Sequence, residues 1–231
     1  MKKGKKYVEA LNLVEKDKLY SLDEAIDLIK KTATTKFDST VELALNLNID
    51  AKKTDQALRG ALILPHGTGK TAKILVIAKG SAAEEAKKAG ADYVGEADLI
   101  EKIDKESWFD FDVIIATPEM MPTLGKIGQK LGPKGLMPNP KTGTVTANTA
   151  KAVEDIKKGM VEYKTDAQGN IHTILGKVSF KEKALKENLE YILNTIVKEK
   201  PTSFKGNLIK SATISTTMGP GIKIDKNSFD N

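Results

Sequence analysis

Five hydroxyl side chains, Ser211, Thr213, Ser215, Thr216 and Thr217, lead into Met218, Gly219, Pro220 and Gly221, and no acid interrupts the chain from residue 201 through residue 224. Catalysis by a hydroxyl needs a base beside it, and nothing in the chain pairs a nucleophile with a base, sets two carboxylates for acid–base work or completes a phosphate loop. The chemistry on offer is therefore recognition by hydrogen bonding. Ala212 and Ile214 alternate with Thr213 and Ser215, which predicts a strand with one polar face, and Gly-Pro-Gly ends it in a turn. Such a strand is either a solvated edge or a row of hydroxyls and open backbone offered to a polar partner.

A second strand of the same kind lies near the other end of the chain. Val41, Leu43, Leu45, Leu47 and Ile49 alternate with Thr40, Glu42, Ala44, Asn46 and Asn48, so one face is buried and the other is polar with Glu42 as its single charge. Lys36 and Phe37 stand at its entrance. A Phe there either joins the core or stacks on a base or ribose. A short polar turn, Asp166-Ala167-Gln168-Gly169-Asn170, precedes His172, which reads as an ordinary strand or surface histidine because no second His or Cys is near.

Two tempting signals fail. Gly67-Thr68-Gly69-Lys70-Thr71 looks like the end of a phosphate-binding loop, but the glycine required five positions before Gly69 is Leu64. The dinucleotide fingerprint is missing after the strand at residues 73–79, where Lys79-Gly80-Ser81-Ala82 has one glycine. With no cysteine and only His66 and His172, a metal site is not expected, and neither is any cofactor.

Lysine and arginine number 37 against 31 acids, a net charge of +6, and the excess is segregated. Residues 84–119 hold eleven acids and four lysines, whereas residues 120–153 hold Lys126, Lys130, Lys134, Lys141 and Lys151 and no acid. Segregation of this kind steers a polyanion to one side. The lysine-rich segment ends in Gly132-Pro133-Lys134-Gly135-Leu136-Met137-Pro138-Asn139-Pro140-Lys141-Thr142-Gly143, punctuated too densely for helix or strand. It is either an ordinary surface loop or a stiffened one that loses little entropy on meeting phosphate. Lys2, Lys3, Lys5 and Lys6 form a basic arm, and the N-terminus has no apolar run of signal-peptide or membrane-span type, so a cytoplasmic protein without membrane contact is expected.

The elements that must position these groups are legible from period and punctuation. Capping boxes are expected at Ser21–Glu24, Ser81–Glu84 and Ser179–Glu182, each opening a helix, and Asn148 is expected to cap another. Strands at residues 73–79, 91–94 and 112–117 alternate with helices, the pattern of a parallel sheet covered on both faces. Residues 160–165 and 171–180 read as a hairpin, and residues 181–199 as a long amphipathic helix with Leu185, Leu189, Ile192, Leu193, Ile196 and Val197 on its stripe. The fold class is α/β and α+β in two domains. A two-layer α+β domain from both chain ends, 1–66 plus 160–231, carries an inserted three-layer Rossmann-like α/β domain, 67–159, with Gly67, Gly69 and Gly159 as the hinge.

Four stretches together, Lys36-Phe37-Asp38-Ser39-Thr40-Val41-Glu42, Leu64-Pro65-His66-Gly67-Thr68-Gly69-Lys70, the run from Lys130-Leu131-Gly132 to Gly143-Thr144-Val145, and Ser215-Thr216-Thr217-Met218-Gly219-Pro220, closely resemble the bacterial ribosomal protein L1 family over essentially the whole chain. The resemblance implies a non-enzymatic protein of the large ribosomal subunit, monomeric when free, whose first domain grips 23S rRNA in the mobile stalk. It further implies a part in releasing deacylated tRNA from the exit site and repression of its own messenger through an RNA mimic in the leader. It places RNA contacts on Lys36, Phe37, Thr40, Glu42, Ser211, Thr217, Met218 and Gly219, with Asp166, Gln168 and His172 as neighbours. A tRNA-facing role is the second expectation, for Lys126, Lys130, Lys134 and Lys141. A DNA-binding protein is disfavoured by the lack of a helix-turn-helix or basic helix and by Glu42.

Overall fold

In the computed structural model, which describes residues 4–50, 53, 56–201, 204 and 206–225, helix α1 (Lys5–Asn12) buries Ala10, and Val14 follows it into the core. Lys2 and Lys3 lie outside the described residues. Helix α2 (Leu22–Thr32) opens on the expected capping box: the Ser21 hydroxyl accepts from the Glu24 N–H while the Glu24 carboxylate accepts from the Ser21 N–H. Strand β1 (Thr40–Leu47) keeps strict alternation, with Val41, Leu43, Leu45 and Leu47 buried. Strand β2 (Arg59–Ile63) follows.

The middle of the chain runs β3 (Ile74–Ile77), α3 (Ser81–Lys88), β4 (Tyr93–Gly95), α4 (Ala97–Glu106) and β5 (Val113–Ala116), then the short helices α5 (Met121–Gly125) and α6 (Gly128–Leu131), and α7 (Thr149–Lys157). The three strands form a parallel sheet in the order β4-β3-β5. Successive residues of β3 serve opposite layers, which is why the strand is apolar throughout. Ile74 and Val76 pack with Ala86 of α3 and Val153 and Ile156 of α7, while Leu75 and Ile77 pack with Ile100 and Ile103 of α4 and Leu124 of α5. Asn148 caps α7, accepting from the Lys151 N–H at 3.1 Å.

The chain closes with β6 (Met160–Lys164), β7 (Asn170–Lys177), α8 (Glu182–Lys198), β8 (Ile209–Thr216) and β9 (Ile222–Ile224). An antiparallel sheet runs β7-β1-β8-β9, and β2 pairs separately with β6. One side of the larger sheet is the core: Leu43, Leu45, Ile171, Leu175, Ala212, Ile214 and Ile222 meet Ile26 and Ile29 of α2 and Leu185, Leu189, Ile192 and Ile196 of α8. Each of the Leu and Ile side chains contributes about 1.5–3 kcal/mol by leaving water, so this layer orients everything on the sheet's other side. The chain separates into two compact units, Met1–Gly69 with Val161–Asn231, and Lys70–Met160.

Several local expectations are corrected. Ser81 and Ser179 do not cap their helices: the N-cap position of α3 is Gly80, with φ 57°, and that of α8 is Lys181, neither with a side-chain cap bond. Strands β6 and β7 lie in different sheets and are joined near their turn by the Thr165–Ile171 bridge and the Asp166 N–H to Asn170 carbonyl bond, so the pair is not a plain hairpin. Strand β8 is interior, hydrogen-bonded to β1 on one side and β9 on the other, and not an edge. Val197 is exposed rather than part of the α8 core stripe. The segment after β2 is tied to α8. Asn188, wholly buried on α8, accepts from the His66 N–H at 3.1 Å and donates to the carbonyls of Gly67 at 3.2 Å and Leu175 at 2.8 Å. His66 also pairs with Glu187, which holds that carboxyl below its usual range. Gly67, Gly69 and Gly159 have φ of 67°, 72° and 99°, values that glycine adopts freely and other residues rarely.

Candidate RNA interface

The face of the β7-β1-β8-β9 sheet opposite its helices is set by register. Thr40 of β1 stands across from Lys177; Glu42 lies between Ile174 of β7 and Ser215 of β8; Ala44 lies between His172 and Thr213; Asn46 lies between Asn170 and Ser211. Thr213 in turn pairs with Lys223 of β9. From Thr40 to Asn46 the face runs about 20 Å, and four strands make it about 15 Å wide, the scale of a folded nucleic acid segment and far more than one phosphate needs. It carries hydroxyls, amides, one carboxylate, two lysines and a histidine.

One end of this face is tightly built. The Thr217 N–H donates to the Thr40 carbonyl at 3.1 Å, the Thr40 N–H donates to the Thr217 hydroxyl at 3.1 Å, and Lys177 Nζ donates to the Thr40 hydroxyl at 2.8 Å. This stitch joins the turn after β8 to the start of β1, so residues 36–42 and 217–219 belong to one site although they are far apart in sequence. On either side of it, Phe37 is 58% exposed and Met218 62% exposed. Both side chains are therefore available to a partner at this end of the face. The alternative of Phe37 in the core is thereby removed. Gly219 closes the turn by donating to the Thr216 carbonyl at 3.0 Å, and a Cβ on it would collide with the buried Thr216 hydroxyl.

The other end is looser. Ser211, Gln168 and His172 are exposed there, and Asp166 has a structural task. Its Oδ1 accepts from the Gln168 and Asn170 N–H groups at 2.8 Å each and its Oδ2 from the Asn170 side chain at 3.0 Å. The Asn170 backbone N–H and then the Asn170 side chain hold the Asp166 carboxyl below its usual range. Asp166 therefore shapes the turn, and Asn170 Oδ1 accepts from the Asn46 side chain at 2.6 Å to tie that turn to β1. Ile174, 37% exposed beside Glu42, is the residue sequence reading passed over. Its signal was present in the alternation Ile171, Thr173, Leu175 against His172, Ile174, which sets an apolar side chain on the polar face.

The lysines of residues 126–141 are placed differently. Lys130 Nζ donates to the Asp104 carboxylate at 2.5 Å and to the Asp104 carbonyl at 2.8 Å, and Lys134 sits 4.4 Å above the Phe109 ring. The loop is braced internally, with the Asn139 N–H donating to the Thr144 hydroxyl and the Lys141 N–H to Asn139 Oδ1, both at 2.8 Å. Lys70, the lysine of the broken phosphate motif, pairs with Asp112 at 2.5 Å. That lysine first, then the Lys73 N–H, hold the Asp112 carboxyl below its usual range. Among the described residues no group of three or more His, Cys, Asp or Glu is placed to hold a metal ion.

Comparison with known proteins settles the lineage. The family model described as "Ribosomal protein L1p/L10e family" matches residues 29–220, a span that runs from α2 to the turn at Met218 and takes in both units. The chain belongs to the ribosomal protein L1 family. It is 61% identical over 225 residues to the large ribosomal subunit protein uL1 of Aster yellows witches'-broom phytoplasma, an alignment covering 97% of each chain. To the uL1 proteins of Mesoplasma florum and Mycoplasma capricolum it is 60% identical, over 224 and 222 residues, covering 97% and 96% of this chain and 98% of each relative. As an L1 family member it is a structural ribosomal protein and not an enzyme.

Proposed function

We propose that this protein works in the cytoplasm as part of the large ribosomal subunit, where the polar face of the β7-β1-β8-β9 sheet holds folded 23S rRNA. The observation that carries the reading is the end of that face stitched by Thr40 and Thr217, with Phe37 and Met218 exposed on either side and Glu42 in the row beyond. A surface that only neutralised phosphate would have no use for Glu42. A carboxylate set between the Ser215 hydroxyl and Ile174 can bond ribose 2′-hydroxyls, the group that separates RNA from DNA, while Phe37, Ile174 and Met218 lie against sugar or base faces. Lys36, Lys177 and Lys223 supply the counter-charge. The Ser211, Gln168 and His172 end is the lesser part of the same surface.

The test is direct. A tagged copy drawn from a cell lysate and treated with ribonuclease should retain large-subunit RNA fragments; recovery of none overturns the reading. Beyond it lie three finer roles: assistance to deacylated tRNA leaving the exit site, repression of the protein's own messenger by a leader that imitates the rRNA site, and hinge motion at Gly67, Gly69 and Gly159. Competition between the retained rRNA fragment and the leader transcript for one protein checks the second. For tRNA, the engagement of Lys130 and Lys134 within the protein leaves Lys126 and Lys141 as the side chains of that loop best able to contribute, and crosslinking of exit-site tRNA decides whether they do.

A further inference from the structure

Phe37 is presented by a turn, residues 35–39, that precedes β1 and has no strand pairing of its own to fix it. An exposed ring on an unsupported turn spreads over many conformations, and ordering it on binding costs affinity. The turn is nevertheless fastened from behind. Asp38 Oδ1 accepts from the Ser179 N–H at 3.0 Å and Asp38 Oδ2 from the Ser179 hydroxyl at 2.7 Å. The Val178 N–H donates to the Ser39 carbonyl at 3.0 Å, and the Thr35 hydroxyl donates to the Phe37 carbonyl at 2.9 Å. Ser179 is free to do this because Lys181, not Ser179, stands at the start of α8.

Asp38 is otherwise out of place. It is an exposed carboxylate next to the Lys36–Phe37 pair, where a free negative charge would repel phosphate. Both of its oxygens are committed to Ser179, so the charge is turned toward the protein's own donors. We infer that Asp38 and Ser179 form a positioning clamp, which holds the Phe37 turn in the conformation RNA meets and raises affinity by preorganisation without touching RNA. This rests on the reading of the polar face as the RNA site.

The experiment measures dissociation constants for the large-subunit RNA fragment that survives ribonuclease digestion on the full-length protein, with Phe37→Ala, Asp38→Ala, Asp38→Asn, Ser179→Ala and the double variant Phe37→Ala/Asp38→Ala. Asp38→Ala and Ser179→Ala should each weaken binding by about tenfold, with the salt dependence unchanged because no phosphate contact is removed. In the Phe37→Ala background, Asp38→Ala should cost less than about twofold, since there is then no ring left to position. Asp38→Asn should restore most of the affinity, because Oδ1 still accepts the Ser179 N–H and the amide can donate to the hydroxyl. If Asp38→Ala fails to fold, Ser179→Ala carries the same comparison. An Asp38→Ala loss of equal size with and without Phe37 overturns the clamp, as does unchanged or tighter binding while Phe37→Ala is weak. Should Phe37→Ala itself bind normally, the RNA reading of this end of the face falls and takes the clamp with it.

Discussion

Two regions of this molecule present themselves as partners for RNA, and they are built on opposite principles. The lysine-rich segment of residues 126–141 has the charge, yet Lys130 is spent on Asp104 and Lys134 lies over Phe109. The sheet end around Thr40 and Thr217 has little charge, yet its large side chains, Phe37 and Met218, stand in water on a scaffold held by hydrogen bonds. An acid-free run in sequence is thus not an uncommitted run in space, because Asp104 of α4 answers Lys130 and the Phe109 ring answers Lys134. The lesson is that readiness for a partner is measured by what the fold leaves unsatisfied and rigid, not by how much charge a segment holds.

A charge placed where the sheet end is apolar should have the largest effect. Met218→Asp should weaken binding to the retained rRNA fragment by about 3 kcal/mol, roughly a hundredfold, since an unpaired carboxylate would enter the contact. Titration by filter binding reads this; a loss under threefold places Met218 outside the interface. Gly219→Ala should follow with about 2 kcal/mol, because its Cβ meets the Thr216 hydroxyl and the turn that displays Met218 must shift. Its control, substitution of exposed Gly221, should cost less, as the nearest atom there is the Thr213 methyl at 3.0 Å.

Smaller effects sharpen the contrast. Thr217→Ala removes the hydroxyl that accepts from the Thr40 N–H, and should cost about 1 kcal/mol in RNA affinity together with a modest fall in the thermal midpoint. Unchanged affinity with a lowered midpoint would make Thr217 a structural residue only. Lys134→Ala comes last: rRNA affinity should change by less than about twofold, while loss of the contact with Phe109 removes about 0.5 kcal/mol of stability. A tenfold loss of rRNA binding on Lys134→Ala would invert the assignment of the two regions.

Much of the positioning scaffold was legible in residue order. Ser21 and Glu24 are three apart and so close a capping box on local geometry alone, and the alternation of β1 and β8 names the buried and polar faces before any partner strand is known. Ser179 illustrates where that reasoning stops. Its spacing to Glu182 is that of a cap, but Asp38, 141 residues away, binds its N–H and hydroxyl instead. The pairing of Glu42 with Ile174 and Ser215 was equally hidden, since register depends on which strands lie side by side.

By itself, the order of residues determined the periods, the caps made within one turn, the glycines and prolines that punctuate them, and the family to which the chain belongs. These are consequences of neighbours a few bonds apart. Only the tertiary structure decided that β8 is interior, that the Thr40 and Thr217 segments make one site, and that Lys130 and Lys134 are already engaged. Those outcomes turn on contacts between residues far apart in the chain, which the packing of a shared core selects and which no local pattern encodes.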